Sequence, residues 1–166
     1  MAKTVLIDSG AIVAALRRRD QHHAWAKSHF EAFAEPCLSC EAVLSESFFL
    51  LERAREGKET LCALLERGII TTDFSLETHL AETLHLIRRY KDTPMSFADA
   101  CLVRMAEIQN DAVIFTTDND FETFLTLTGR IIDIRYIHDC EDFQNRQFDG
   151  AETAQASQSK GGRCFH

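Results

Sequence analysis

Four carboxylates stand beside apolar residues rather than among other charges. Asp8 ends an apolar run and is the only charged residue in VLIDSGAIVAAL, and Asp118 directly follows the apolar segment AVIFT. Glu46 and Asp99 have apolar residues three and four positions away, a spacing that predicts that both point along apolar helix faces. A carboxylate in such a place is costly unless it is paired with a base or bound to a cation.

Together these acids predict a divalent metal site. Acids at the carboxyl ends of parallel strands meet in one crevice, and converging carboxylates repel one another unless a cation neutralises them. Mg²⁺ and Mn²⁺ take oxygen ligands of this kind. For any one of the acids alone a structural role, such as a helix cap, is the better interpretation. The combination favours a metal.

Two similar segments, VIFTTDNDF and IITTDFSLE, each place an acid behind a short strand. Asp118 follows the longer and wholly apolar strand, and a second acid, Asp120, is within reach of the same crevice. Asp73 precedes a helix expected to start near Ser75, and it fits a helix cap or a first-turn acid. We therefore predict a chemical role for Asp118 and a structural one for Asp73.

Strands that alternate with helices must position these acids. This order predicts an α/β fold with a central, mostly parallel, five-stranded sheet covered by helices. Ser9 and Asp20 are expected to open the first two helices, and Gly57 and Gly68 to end the third and fourth. The predicted strands are 3–7, 37–40, 69–71, 112–116 and 130–137, and the predicted helices are 11–19, 22–33, 41–55, 59–67, 75–90 and 97–109.

Length and composition indicate one folded domain. The chain has 166 residues, of which 45% are hydrophobic and 27% are charged, values ordinary for a globular protein with a core. We predict a domain over residues 1–140 and a polar, disordered tail over residues 141–166. No apolar run is long enough for a membrane helix and no signal-peptide pattern is present, so we expect a cytoplasmic protein.

Charge and cysteine content disfavour two classes of protein. The net charge of −8 argues against a passive nucleic-acid binder but leaves open an enzyme that meets phosphates through bound cations. Basic residues at 17–19 and 53–58 could line an RNA groove or be solvated helix ends. Cys37 and Cys40 form a C-x-x-C, but no second pair stands at zinc-finger spacing, which favours ordinary buried thiols.

With these residues in view, the chain resembles a PIN domain, specifically a VapC-type toxin ribonuclease. The resemblance covers roughly residues 3–138, with the motifs in the family's order and spacing. Each motif is weak alone, and several in order are fairly specific. The matching pieces are VLIDSGAIVAAL, RRDQHHAWAKSHFEAF, LSCEAVLSESFFLL, MSFADACLVRMAE and VIFTTDNDF.

The resemblance implies a three-layer α/β/α sandwich with a Mg²⁺- or Mn²⁺-dependent acidic site that cleaves RNA endonucleolytically. Asp120 matches a further acid of the family, and Ser9 and Thr116 match hydroxyl positions that hydrogen-bond the acids. Gly10 is a departure, because the family commonly has Asn or another polar residue there. By position, the family's catalytic and metal-binding quartet corresponds to Asp8, Glu46, Asp99 and Asp118.

The resemblance also implies an RNA substrate, an antitoxin partner whose C-terminal segment covers the acidic crevice, and a homodimer. The alternative is a catalytically degenerate PIN domain that acts as an RNA- or protein-binding module, against which the intact acids argue. A phosphohydrolase of the haloacid-dehalogenase type needs a second Asp two residues after the first. Gly10 stands there, which excludes that family.

Overall fold

A parallel sheet forms the centre of the protein. The computed structural model describes residues 4–109, 111–121, 124 and 133–135. Every neighbouring pair of strands is parallel, in the order β3-β2-β1-β4-β5, which confirms the predicted α/β fold and its five strands. The predicted tail over residues 141–166 lies outside the described residues. The strands are β1 Thr4–Ile7, β2 Cys37–Ser39, β3 Ile70–Thr72, β4 Ala112–Phe115 and β5 Asp133–Arg135.

Six helices accompany these strands within the described residues, as predicted. Helix–helix packing joins α1 to α2, α3 and α4, and α6 to α3 and α5, while α6 also contacts β1 and β4. None of the described helices is both long and apolar enough to span a bilayer. The helices are α1 Ser9–Leu16, α2 His23–Ala32, α3 Glu41–Leu50, α4 Arg55–Glu66, α5 Leu76–Arg89 and α6 Phe97–Ile108.

The starts and ends of α1 and α2 correct three expectations. Asp8, not Ser9, is the N-cap of α1, because its side chain accepts a hydrogen bond from the Gly10 amide. The helix ends at Leu16, where Arg17 turns to an extended conformation, so the basic run at 17–19 lies beyond the last turn. Asp20 accepts from the His22 amide, and α2 begins after it at His23.

Gly57 does not end a helix but lies buried inside α4. The expected long helix over residues 41–55 stops at Leu50, and α4 begins at Arg55. A Cβ at Gly57 would stand 3.0 Å from Leu51 Cδ2 and 3.5 Å from the Leu16 carbonyl oxygen. The missing side chain therefore lets α4 pack closely on the end of α1, a tertiary reason for glycine that the linear pattern does not reveal.

The central strands are buried throughout. Leu6 and Ile7 of β1 and Ile114 and Phe115 of β4 are all fully buried. Their side chains are aliphatic or aromatic, as expected for parallel strands covered on both faces. The two strands pair in register from Thr4 to Ile7, so their carboxyl ends lie side by side.

Gly68 ends α4 in a left-handed conformation, so replacing it with a residue that has a side chain should cost stability. Its φ is +67°, its amide donates to Leu65 O at 3.0 Å and the Ile69 amide donates to Leu64 O at 2.9 Å, which is a Schellman motif. A Cβ would meet nothing within 4 Å, so only backbone strain opposes a side chain. Gly68→Ala should lower the free energy of unfolding by about 1 kcal/mol, measured by urea denaturation.

Gly68→Asn is the matched control, because Asn tolerates the left-handed region better than Ala. It should lose less stability than the alanine variant. Equal losses in both variants would contradict the assignment of the effect to backbone conformation.

Candidate active site

Asp8 lies at the end of β1, the central strand, and its carboxylate is almost fully buried, with 4% of the residue exposed. Three donors hold it. Thr116 Oγ1 donates to Asp8 Oδ2 at 2.9 Å and the Gly10 amide to the same oxygen at 3.2 Å. Ser9 Oγ donates to Oδ1 at 3.4 Å. The predicted support of Asp8 by the hydroxyls of Ser9 and Thr116 is therefore present.

Thr116 links Asp8 to the loop that carries Asp118. It directly follows β4, and the Asp8 amide donates to Phe115 O at 3.1 Å, which continues the β1–β4 ladder up to this point. While Thr116 Oγ1 donates to Asp8, it accepts from the Asp118 amide at 2.9 Å. Asp118 Oδ1 in turn accepts from the Asp120 amide at 2.9 Å. One buried hydroxyl thus fixes the position of the loop that carries two further acids.

Asp99 is held differently from the way its spacing suggested. It is the third residue of α6, as the predicted helix over residues 97–109 places it, and it forms a capping box with Ser96. Asp99 Oδ2 accepts from the Ser96 amide at 2.8 Å, while the Asp99 amide donates to Ser96 Oγ at 3.1 Å. Sequence reasoning missed Ser96, although S-x-x-D before an apolar run is a cap signature that could have revealed it.

Glu46 also departs from its expected setting. It is half-buried on α3, but the apolar residues that follow it are at the surface, with Phe49 72% and Leu50 41% exposed. The interpretation of this side of α3 as a buried stripe is therefore wrong. Glu46, Phe49 and Ser96 instead line an open cavity of about 470 Å³ together with Phe97, which is 40% exposed.

The acids interact electrostatically, which shows that the fold brings them near one another. Burial raises the pKa of Asp8 from 3.8 to about 6, and the charge of Asp99 adds to the rise while the Thr116 hydroxyl opposes it. Burial and then the Asp99 charge raise the pKa of Glu46. Burial raises the pKa of Asp99, with further contributions from Asp118 and Asp120 that its bonds to Ser96 oppose. The repulsion between these carboxylates favours a cation between them.

The donor set fits a hard divalent cation, but its side chains do not form a closed ligand sphere. Within the described residues, no three His, Cys, Asp or Glu side chains lie close enough together to hold a metal ion. None of the ion pairs seen among the described residues involves an acid of this cluster. All-carboxylate oxygen donors with no basic partner suit Mg²⁺ or Mn²⁺. Binding would require the carboxylates to draw together.

The other predicted features lie apart from this cluster. Asp73 is exposed after β3, an edge strand separated from β1 by β2, and Ser75 rather than Asp73 caps α5. The C-x-x-C forms no disulfide, because Cys37 and Cys40 are both free cysteines. Both Cys37 and Cys40 are buried, as ordinary core thiols are.

Comparisons with known proteins agree on the fold. A family model described as PIN domain matches residues 5–124, a range that contains all five acids. No curated protein matches the chain. Among solved structures, the chain is similar to Mycobacterium tuberculosis VapC20, a sarcin-ricin loop cleaving toxin, with a TM-score of 0.65 and 18% sequence identity. The match covers 72% of this chain and 94% of that one, and at this identity it shows a shared fold.

Because the charge of Asp8 is buried, we expect the protein to become more stable when that charge is removed. The pKa of Asp8 rises from 3.8 to about 6 on folding, so the folded state binds this proton more tightly. The stabilisation that comes from this tighter proton binding is therefore full below pH 3.8 and is lost as the pH rises through about 6. In EDTA at pH 7, Asp8→Asn should raise the free energy of unfolding by roughly 2–3 kcal/mol.

Urea denaturation from pH 4 to pH 8 measures this difference. Asp73→Asn is the matched control, because it removes an exposed carboxylate and should leave the wild-type pH profile unchanged. Parallel profiles for the wild type and Asp8→Asn would mean that the buried carboxylate carries no such penalty.

Proposed function

The chain belongs to the PIN domain family, and on that premise we propose that it is a Mg²⁺- or Mn²⁺-dependent endoribonuclease of the VapC toxin type. It hydrolyses RNA phosphodiester bonds at the carboxyl ends of β1 and β4. The observation that carries the proposal is the buried Asp8, whose pKa is raised by burial and by the charge of Asp99. Such a group is costly in a purely structural protein and useful where a cation must be held.

The acids have distinct roles in this proposal. Asp8, Asp99 and Asp118 hold one cation, and Glu46 is a direct or water-mediated ligand near a second. When bound, the cation lowers the pKa of a water molecule and offsets negative charge at the phosphorus. Asp120 adds negative charge on the same side. In-line attack by water leaves a 5′-phosphate and a 3′-hydroxyl.

The neutral groups around Asp8 keep the site in place. Thr116 and the Gly10 amide both donate to Asp8 Oδ2, and Ser9 donates to Oδ1. These bonds favour the ionised carboxylate against its burial. They also fix the direction of the Asp8 carboxylate before a cation binds.

The proposed setting is a toxin–antitoxin pair in the cytoplasm. Its substrate is RNA, its inhibitor is an antitoxin whose C-terminal segment covers the acidic crevice, and the nuclease is a homodimer. The solved relative is named as a toxin that cleaves the sarcin-ricin loop. From this relative we extend to the chain only the class of substrate, RNA, and not the sarcin-ricin loop as its target.

A binding module without catalysis is the second candidate. One observation favours it: no three side chains of the required types stand ready to hold a metal in the part of the chain that the structure describes. The two candidates differ in whether the wild type gains a cation-dependent activity.

Cleavage of a mixed RNA pool distinguishes them. The wild type should cut with Mg²⁺ or Mn²⁺ and not with EDTA, and Asp8→Asn, Asp99→Asn or Asp118→Asn should reduce the rate by roughly 100-fold or more, since metal stabilisation of the transition state amounts to several kcal/mol. The cleaved ends should carry 5′-phosphates, which a phosphatase-dependent labelling assay detects.

Asp73→Asn is the control, and it should cut like the wild type. A folded wild type that leaves the pool intact with either metal, and that gives no heat on Mn²⁺ titration, would contradict the nuclease proposal and support the binding module.

A further inference from the structure

The space above Gly10 is already filled by another residue. A Cβ placed on Gly10 would collide with Thr117 Oγ1, and it would stand 3.2 Å from Asp8 Oδ2 and 3.8 Å from Thr117 Cβ. A side chain at position 10 would therefore force the Thr117 hydroxyl to move from its present place. The departure of Gly10 from the family's usual polar residue thus has a physical counterpart in the loop after β4.

The Thr117 hydroxyl lies next to the central acid but is not needed to hold it. Asp8 Oδ2 already accepts from Thr116 Oγ1 and from the Gly10 amide, which occupies both lone pairs of that oxygen. Among the described residues, no hydrogen bond involves the Thr117 hydroxyl. Thr117 is half-buried, whereas Thr116 is fully buried. The Thr117 hydroxyl is therefore a neutral donor that no described group uses, on a half-buried residue beside Gly10 and directly before Asp118.

An anionic substrate needs such a donor here. The cluster presents carboxylates, which repel phosphate, and no described ion pair places a base among them. A hydroxyl can donate to a phosphate oxygen without adding charge that would compete with a bound cation. Side-chain hydroxyls are common phosphate contacts in nucleic-acid complexes.

We infer that Thr117 is a substrate-binding residue whose hydroxyl donates to a non-bridging phosphate oxygen of RNA bound beside Asp8, and that Gly10 is required because it makes room for this side chain. The inference rests on the proposed nuclease function and deepens it. Gly10 and Thr117 act as a pair, because the absence of a side chain at Gly10 leaves space for the side chain of Thr117.

Thr117→Val and Thr117→Ser test the hydroxyl. Valine has nearly the same shape but cannot donate, so kcat/KM for RNA cleavage should fall roughly 10- to 100-fold, the range for one hydrogen bond to a charged group. Serine keeps the donor and should retain most of the activity. The midpoint of Mn²⁺ titration and the Tm should stay close to wild type in both variants. Wild-type kcat/KM in Thr117→Val would overturn the inference, as would a loss explained by weaker Mn²⁺ binding.

Gly10→Ala, alone and combined with Thr117→Ala, tests the pairing. Gly10→Ala should lower both the Tm and the cleavage rate, because its methyl group collides with Thr117. The double variant should regain the Tm but cut no faster than Thr117→Ala, since space returns without the hydroxyl. Full recovery of cleavage in the double variant would show that Thr117 only fills space.

Binding to a randomised single-stranded RNA pool separates this inference from the nuclease proposal. A wild type that does not cut but binds this RNA more tightly than Thr117→Val would end the nuclease proposal and keep the phosphate contact. Equal affinity of the two proteins would overturn the contact. A wild type that neither cuts nor binds RNA would overturn both.

Discussion

The burial of one carboxylate organises this protein. Asp8 ends the central strand of the sheet, where burial raises its pKa to about 6. The strand order sets β1 between β2 and β4, so donors can reach Asp8 from its own helix and from the neighbouring strand. Thr116 arrives from β4, and Ser9 and the Gly10 amide arrive from the first turn of α1. Much of the structure around Asp8 thus keeps the two oxygens of its carboxylate hydrogen-bonded.

Hydrogen bonds that favour the charged acids and repulsion between those acids oppose each other at this edge of the sheet. The cap of α1 is the buried Asp8, and the cap of α6 is completed by Asp99, so two of the candidate acids also hold helix ends. Each acid makes local bonds that favour its charge, while its neighbours make that charge less favourable. A bound cation would remove the second effect and keep the first.

The sequence predicted the sheet correctly, because apolar strands are local signals, whereas the roles of the candidate acids stay predictions. Helix bounds failed where tertiary contacts decide them, as at Gly57, whose missing side chain admits α4 against α1. The start of α6 at Phe97 was predicted correctly, but apolar spacing did not show that Asp99 closes a capping box with Ser96. Glu46 was expected on a buried stripe, yet Phe49 beside it is 72% exposed, since spacing gives a face and not what covers it.

The bond between Asp8 and Thr116 spans 108 positions of the chain, which has a consequence for protein synthesis. The first strand leaves the ribosome long before its partner β4 exists, and parallel pairing at this separation must wait for a large loop to close. Chain fragments that end before residue 116 hold Asp8 without the hydroxyl that orients it. A nascent chain therefore has no assembled acid cluster until the loop after β4 has been translated.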